Sequence, residues 1–360
     1  MHVVFDAIAV RAGSASIVVG HELVAWARRT DGDRLTVLAS AKTELPVPAG
    51  VTIERLEPPF KGPLGELWLR SVGIRRAAKR LHADAVISGV TASALAGTPC
   101  PRWAIVYDVR HELRPNQFSW SRRVVRRVSY RWTFRRATGL FTISARTRDD
   151  IVARRRWLAD KTTVSLLGSD HVDSWAHGGA TDRPYALAFG NFGNKNADKV
   201  LAAWAVFCTT DTELTLRLVG MSGAERAALT EQAAALGIAD RVELMPWLDD
   251  AEFQQLFTGA RLVIFPSDFE GYGLPVVEAM RLRMPVVISG DEALAEVSGG
   301  HAVLATDLTP TGLATAIRSG LATTPAQLDA AYRFIEPITW AATAESMQAQ
   351  IQAVLRRGAN

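Results

Sequence analysis

Two patterns of apolar residues alternate along the first half of the chain. Short β-rich runs flanked by turn residues read as strands: His2–Phe5, Leu35–Ala39, Ala85–Ser88, Trp103–Tyr107 and Leu140–Ser144. After the first of these, Arg11–Ser16 is a loop of small residues, and Ile17–Arg29 is helical, with Val18, Glu22, Ala25 and Arg29 on successive turns. Strands that alternate with helices predict a parallel sheet with crossover helices.

From Gly168 to Pro184 the pattern breaks into Gly, Ser, Asp, Thr and His without periodicity. A domain boundary is expected there. A second alternating series follows. Tyr185–Phe189, Leu214–Val219, Val242–Leu244, Leu262–Phe265 and Pro285–Ile288 read as strands. Ala197–Phe207, Ala224–Leu236, Ala251–Thr258 and Pro275–Leu282 read as helices. The chain ends in a helical stretch, Ala341–Arg356, with Met347, Ile351, Val354 and Leu355 as its apolar stripe. The expected organisation is therefore a domain over 1–169, a second over 170–340, and a helix over 341–360 packing back toward the first. In open α/β sheets ligands sit beyond the carboxyl ends of the strands, so tandem domains of this kind imply a binding cleft.

Composition agrees with two soluble domains. Apolar residues make up 48% of the 360, enough for sizeable cores, and the net charge is only +4. No run of about 18 apolar residues occurs, so no spanning helix is expected, and the opening residues lack the pattern of a signal peptide. Cys100 and Cys208 lie far apart, which argues against a disulfide framework and points to a cytoplasmic setting. The seven histidines show no metal-ligand spacing, and Asp31-Gly32-Asp33 reads as a turn between a helix and a strand. No metal and no cofactor are expected.

The chemistry concentrates between Leu262 and Gly290. A buried strand ends at Phe265 and is stopped by Pro266 and Ser267. Gly271 and Gly273 permit a tight turn, and Pro275 suits the first turn of a helix. Amides at that helix start, near Gly273–Leu274, would face an anion such as a diphosphate. Glu278 falls about one turn into the helix, where it can accept two hydrogen bonds from a ribose diol. Glu270 lies on the loop before the turn.

At these residues the chain resembles the retaining glycosyltransferases of GT-B fold, family 4. Their Glu-x7-Glu signature matches Glu270 and Glu278, with Pro-Ser before and Glu-Ala-Met after. The resemblance extends further. Gly190-Asn191 through Lys195 is similar to the glycine-plus-basic loop, with Lys195 at the diphosphate-binding lysine. Gly168-Ser169-Asp170 is similar to the hinge, Thr142-Ile143-Ser144 to a Thr-Val-Ser turn, and Ala293–Val297 to a Leu-Pro-Glu-Val piece. Gly13 stands at the first-loop glycines, and Tyr107-Asp108 at the acceptor-domain His-Asp pair.

The resemblance implies two Rossmann-like, doubly wound domains facing across a cleft. The N-terminal domain would bind acceptor, and the C-terminal one a GDP-, dTDP- or UDP-linked sugar. Glu270, Lys195, Asp108 and Tyr107 would form the catalytic set. Donor binding would fall to Glu278, Gly271, Tyr272, Gly273, Leu274, Gly190, Asn191 and Gly13, with Trp247 and Leu248 near the base. The implied activity is metal-independent, retaining transfer of a hexose, mannose or rhamnose favoured, to a hydroxyl of a saccharide or lipid-linked acceptor. Three departures stand out. Tyr107 replaces a histidine, for which His111 is a nearby substitute. The phosphate-loop arginine is replaced by Asn191 or Asn194, and Arg283 stands at a usual glycine. These departures raise the alternative of a catalytically silent GT-B homologue that binds a nucleotide sugar or a partner subunit.

One segment is left over. Arg110–Arg156 is rich in arginine, lacks lysine, and has only Glu112, Asp149 and Asp150 as acids. Within it Ser121–Arg136 reads as a helix with Val124, Val125, Val128 and Trp132 on one face and Arg122, Arg123, Arg126 and Arg127 off it. Such a helix suits either an anionic membrane surface, peripherally at its inner face, or an ordinary solvated exterior. Nucleic-acid binding is not expected, because no binding fold accompanies the charge.

Overall fold

A computed structural model of the chain describes residues 1–358 except 12, 30–32, 46, 177–182, 192 and 212. Asp31 and Gly32, of the Asp-Gly-Asp turn, lie outside the described residues. The chain divides into two compact units, one of Met1–Gly168 with Thr339–Asn360 and one of Ser169–Ile338.

The first unit is built on a parallel sheet of β1 (His2–Asp6), β2 (Arg34–Ala39), β3 (Thr52–Arg55), β4 (Ala85–Ser88), β5 (Arg102–Val106), β6 (Gly139–Thr142) and β7 (Thr162–Val164). Its spatial order is β3-β2-β1-β4-β5-β6-β7. The inner strands β1, β4 and β5 are buried along their whole length, as expected for a sheet covered on both faces. The edge strand β3, Thr-Ile-Glu-Arg, is largely exposed and carries no apolar run. That is why the apolar pattern did not predict it. The helices Pro63–Trp68 and Ile74–Arg80 were likewise not expected.

The C-terminal helix, Trp340–Gly358, completes this unit. It packs on the helix Ser14–Arg28: Trp340 stacks on His21 with ring centroids 5.2 Å apart, and Glu345 pairs with Arg29 at 3.3 Å. Gln348 donates to Asp33 at 2.7 Å, and Asp33 also holds the N-terminal ammonium at 2.8 Å.

The second unit repeats the plan. Its strands are β8 (Tyr185–Phe189), β9 (Thr215–Val219), β10 (Val242–Leu244), β11 (Leu262–Phe265), β12 (Val286–Ile288) and β13 (Val303–Leu304). They are parallel in the order β10-β9-β8-β11-β12-β13. One face is filled by Trp204 and Phe207, stacked at 4.7 Å, with Leu216, Leu218, Ile264 and Val287. The helices Pro310–Leu321 and Pro325–Ile335 close the unit and were not predicted.

Both sheets share one topological feature. The chain starts in the middle, winds outward to one edge, returns to the middle and winds to the other. The reversal lies between β1 and β4 in the first unit and between β8 and β11 in the second. There the loops leaving two neighbouring strands diverge, opening a crevice at their carboxyl ends.

Candidate active site

In the second unit that crevice is lined by the loops after β8 and β11. Gly190 follows β8, and a Cβ there would lie 2.5 Å from the Met221 sulfur. The backbone then turns through Gly193–Lys195. Asn196 follows in the left-handed region, with φ +55°, and precedes the helix Ala197–Cys208. Its amide donates to the Pro266 carbonyl at 2.8 Å, so the two loops are stitched together at their bases.

Asn194 is buried and reaches across the crevice. Its amide nitrogen lies 2.9 Å from Ser267 Oγ, 3.0 Å from the Phe269 carbonyl and 3.1 Å from Glu270 Oε1. Lys195 Nζ donates to the same Glu270 oxygen at 2.6 Å and sits 4.0 Å from the Phe265 ring centroid. Ser267 Oγ lies 2.5 Å from it as well. The Glu270 amide donates to Asp291 Oδ2 at 3.3 Å. Glu270 and Lys195 thus form a largely buried ion pair, with 16% and 12% of their side chains exposed. Charge-assisted bonds of this kind are short and directional.

Beyond Glu270 the loop turns into the helix Leu274–Arg281. Gly273 caps its start at φ +111°, and a Cβ there would fall 2.5 Å from Leu294 Cδ2. Glycine is required on both counts. Gly271 and Leu274 are half-buried and Tyr272 is buried, so the turn is part of the packed unit. Glu278, one turn in, is 5% exposed. It does not join the Lys195 cluster through any bond among the described residues. Its Oε1 instead lies 3.1 Å from Nε2 of His171. The two glutamates therefore have separate partners. Asn191 is half-buried after β8, close to Gly220. Trp247 is 62% exposed and Leu248 half-buried after β10, an edge strand two positions from β8.

The remaining expected residues belong to the first unit. Gly13 caps the helix Ser14–Arg28 at φ +120°, with open space where a Cβ would stand. The Tyr107 hydroxyl donates to the Gly89 carbonyl at 3.0 Å, and Asp108 Oδ1 accepts from the Arg110 amide at 2.9 Å. Burial, followed by the Glu22 carboxyl, raises the Tyr107 hydroxyl well above the usual tyrosine range, so it stays protonated and is no base. His111 is 3% exposed and packs edge-on against Tyr130 at 4.6 Å. Burial lowers its pKa, and neither ring nitrogen has a hydrogen-bond partner among the described residues. That is the setting of a packed, neutral ring.

Among the described residues no group of three or more His, Cys, Asp or Glu is arranged to hold a metal ion, and Cys100 and Cys208 are free thiols. No described helix is long and apolar enough to cross a membrane.

Residues 171–332 match the family model of the glycosyl transferases group 1. The second unit is a glycosyl transferases group 1 domain. The chain is 30% identical to the MMP alpha-(1->4)-mannosyltransferase of Mycolicibacterium hassiacum, over 61% of its own length and 54% of that protein. It is 28% identical to O-antigen chain mannosyltransferase B of Escherichia coli, over 46% and 47% of the two chains. The chain thus spans about half the length of these curated relatives. Among solved structures it is similar to Anabaena HepE in complex with UDP, with a TM-score of 0.74 and 17% identity, covering 98% of this chain and 100% of the other. The fold is that of the GT-B glycosyltransferases.

Within the glycosyl transferases group 1 domain, sequence reasoning missed the residues that position the named ones. Asn194 appeared only as a stand-in for a lost arginine, whereas it clamps Glu270 and Ser267. Asn196, Asp291 and His171 were not singled out. The usable signal was polarity at the carboxyl ends of β8, β11 and β12, which the strand order makes neighbours.

Proposed function

We propose that the chain is a retaining glycosyltransferase. It moves a hexose, with mannose or rhamnose favoured, from a nucleotide-diphosphate sugar to a hydroxyl of a saccharide or lipid-linked acceptor. The observation that carries this reading is the buried Lys195–Glu270 pair at the β8/β11 reversal, beside the glycine-capped start of the Leu274–Arg281 helix. A cation and a helix N-terminus suit a diphosphate, and a neighbouring carboxylate suits sugar hydroxyls. The names of the relatives support mannose, and the UDP bound to HepE supports a nucleoside diphosphate.

In this mechanism the anomeric C–O bond to the diphosphate breaks, and the acceptor oxygen bonds to that carbon on the same face. The acceptor's proton passes to a departing phosphate oxygen. No protein base is then required, which agrees with a Tyr107 hydroxyl held protonated. Lys195 and the amides around Gly273 stabilise the leaving group, and preorganised charge of this kind is commonly the largest catalytic contribution. Glu270 gives up part of its hold on Lys195 and takes sugar hydroxyls. Glu278 takes the ribose. Protein cations replace a metal. Acceptor binding falls to the first unit, around Gly13, Tyr107 and Asp108.

A thermal-shift panel of GDP, UDP, dTDP and ADP tests this reading. One or more diphosphates should stabilise the chain, and Lys195→Ala should remove the effect. No shift with any of them overturns it.

A second feature supports peripheral contact with an anionic membrane from the cytoplasmic side. In the helix Trp120–Arg136, Trp120, Val124, Val128 and Trp132 are 75%, 40%, 63% and 42% exposed. Spaced four apart, they form one apolar ridge, flanked by Arg122, Arg123, Arg126 and Arg127. That combination favours an anionic lipid surface.

A further inference from the structure

Glu278 is a carboxylate with 5% exposure, and a buried carboxylate is stable only with partners. The partner found here comes from far along the chain. His171 Nε2 lies 3.1 Å from Glu278 Oε1, across 107 positions. His171 stands in the short turn Asp170–Ser174, at the start of the second unit.

That turn is fastened to the helix Leu274–Arg281 a second time. Asp173 takes a two-pronged bond from Arg281, Nε to Oδ1 at 2.9 Å and a terminal nitrogen to Oδ2 at 2.6 Å. Arg281 also donates to the Glu336 carbonyl at 2.9 Å. The His171 ring meets Trp175 edge-on at 5.5 Å, and Trp175 is backed by Phe257 at 5.5 Å. The imidazole is therefore clamped by its own turn and by an aromatic wall.

We propose that His171 is a positioning residue for the donor: it fixes the Glu278 carboxylate in the orientation that accepts the vicinal diol of a ribonucleoside diphosphate. This rests on the reading of Glu278 as the ribose ligand. A diol offers two hydroxyls at a fixed spacing, and only a carboxylate held in one plane accepts from both without an entropic cost on binding. With one carboxylate oxygen tethered to the ring, the plane is set before the nucleotide arrives. The consequence is specificity. The pair discriminates ribose from 2′-deoxyribose, because a deoxy sugar cannot use the preset geometry; among the donors named above, GDP- and UDP-linked sugars should therefore bind more tightly than a dTDP-linked one, whose sugar is 2′-deoxyribose.

Calorimetric titration of the full chain tests this. The probes are GDP, UDP and ADP, each with its 2′-deoxy counterpart. The native chain should bind a ribonucleotide more tightly than its deoxy form. His171→Phe should weaken the ribonucleotide by about fivefold to tenfold, the range set by partial loss of a bond to a charged group. It should leave the deoxy form within about twofold. His171→Gln keeps a nitrogen donor and should restore most of the discrimination. The proposal is overturned if His171→Phe weakens both forms equally, as a merely structural role would, if it changes neither, or if His171→Gln fails to rescue. Glu278→Gln separates the two claims. If that variant leaves the ribose-to-deoxyribose ratio intact, the reading of Glu278 itself fails. If the ratio collapses there but not in His171→Phe, only the positioning role fails.

Discussion

Glu22 lies in the Ser14–Arg28 helix with 2% of its surface exposed, and its Oε2 has no hydrogen-bond partner among the described residues. Burial pushes its carboxyl from an ordinary 4.5 up to about 8. The folded state therefore binds a proton that the unfolded chain releases at lower pH. The sign follows from linkage. The neutral carboxyl contributes full stability below about pH 4.5, and that contribution is lost as pH rises through 8. At about 1.36 kcal/mol per pH unit, the loss across this window is about 5 kcal/mol. Glu22→Gln keeps the shape and removes the titration. Its stability should match the native chain below pH 4.5 and exceed it by several kcal/mol above pH 8, on the order of that full loss. Urea unfolding at a series of pH values measures this, with hydrogen exchange of the β1 amides assigning the change to the first unit. Parallel pH profiles for the two proteins would show that the Glu22 carboxyl does not carry this pH dependence.

Other expectations follow from the same geometry. Lys195→Ala should lower kcat by about a hundred- to a thousandfold, as for loss of one preorganised charge, measured as release of nucleoside diphosphate. Gly273→Ala should destabilise by about 1–3 kcal/mol and abolish diphosphate binding, because its φ of +111° and the Leu294 methyl both oppose a Cβ. Thermal unfolding with and without nucleotide reads both effects. Trp120→Ser and Val128→Glu together should reduce flotation with phosphatidylserine vesicles while leaving donor consumption unchanged. Equal flotation of the native chain with neutral and anionic vesicles would remove the membrane reading.

How much was legible in the sequence depended on how local each feature is. The alternating pattern identified the inner strands because they are buried on both faces and so are apolar throughout. The same criterion failed for β3, an exposed edge strand, and for β13, which spans only Val303–Leu304. Glu270, Gly273 and Glu278 sit within one strand–turn–helix unit, so spacing along the chain carried their geometry. The Glu278–His171 contact spans 107 positions and the Lys195–Glu270 pair spans 75. Both roles of that second pair were expected separately, but their direct bond follows only from β8 and β11 being neighbours. Trp247 and Leu248 were expected near the base through their backbone, which follows the edge strand β10; the Trp247 side chain itself is exposed.

The most direct test of the account is donor turnover. The chain is incubated with GDP-mannose, dTDP-rhamnose and UDP-glucose in EDTA, and release of nucleoside diphosphate is followed for the native protein, Glu270→Ala and Lys195→Ala. Slow consumption of at least one donor without metal is expected, with its loss in both variants. Tight donor binding with no consumption, whatever acceptor is supplied, would contradict it and leave a nucleotide-sugar-binding homologue without transferase activity.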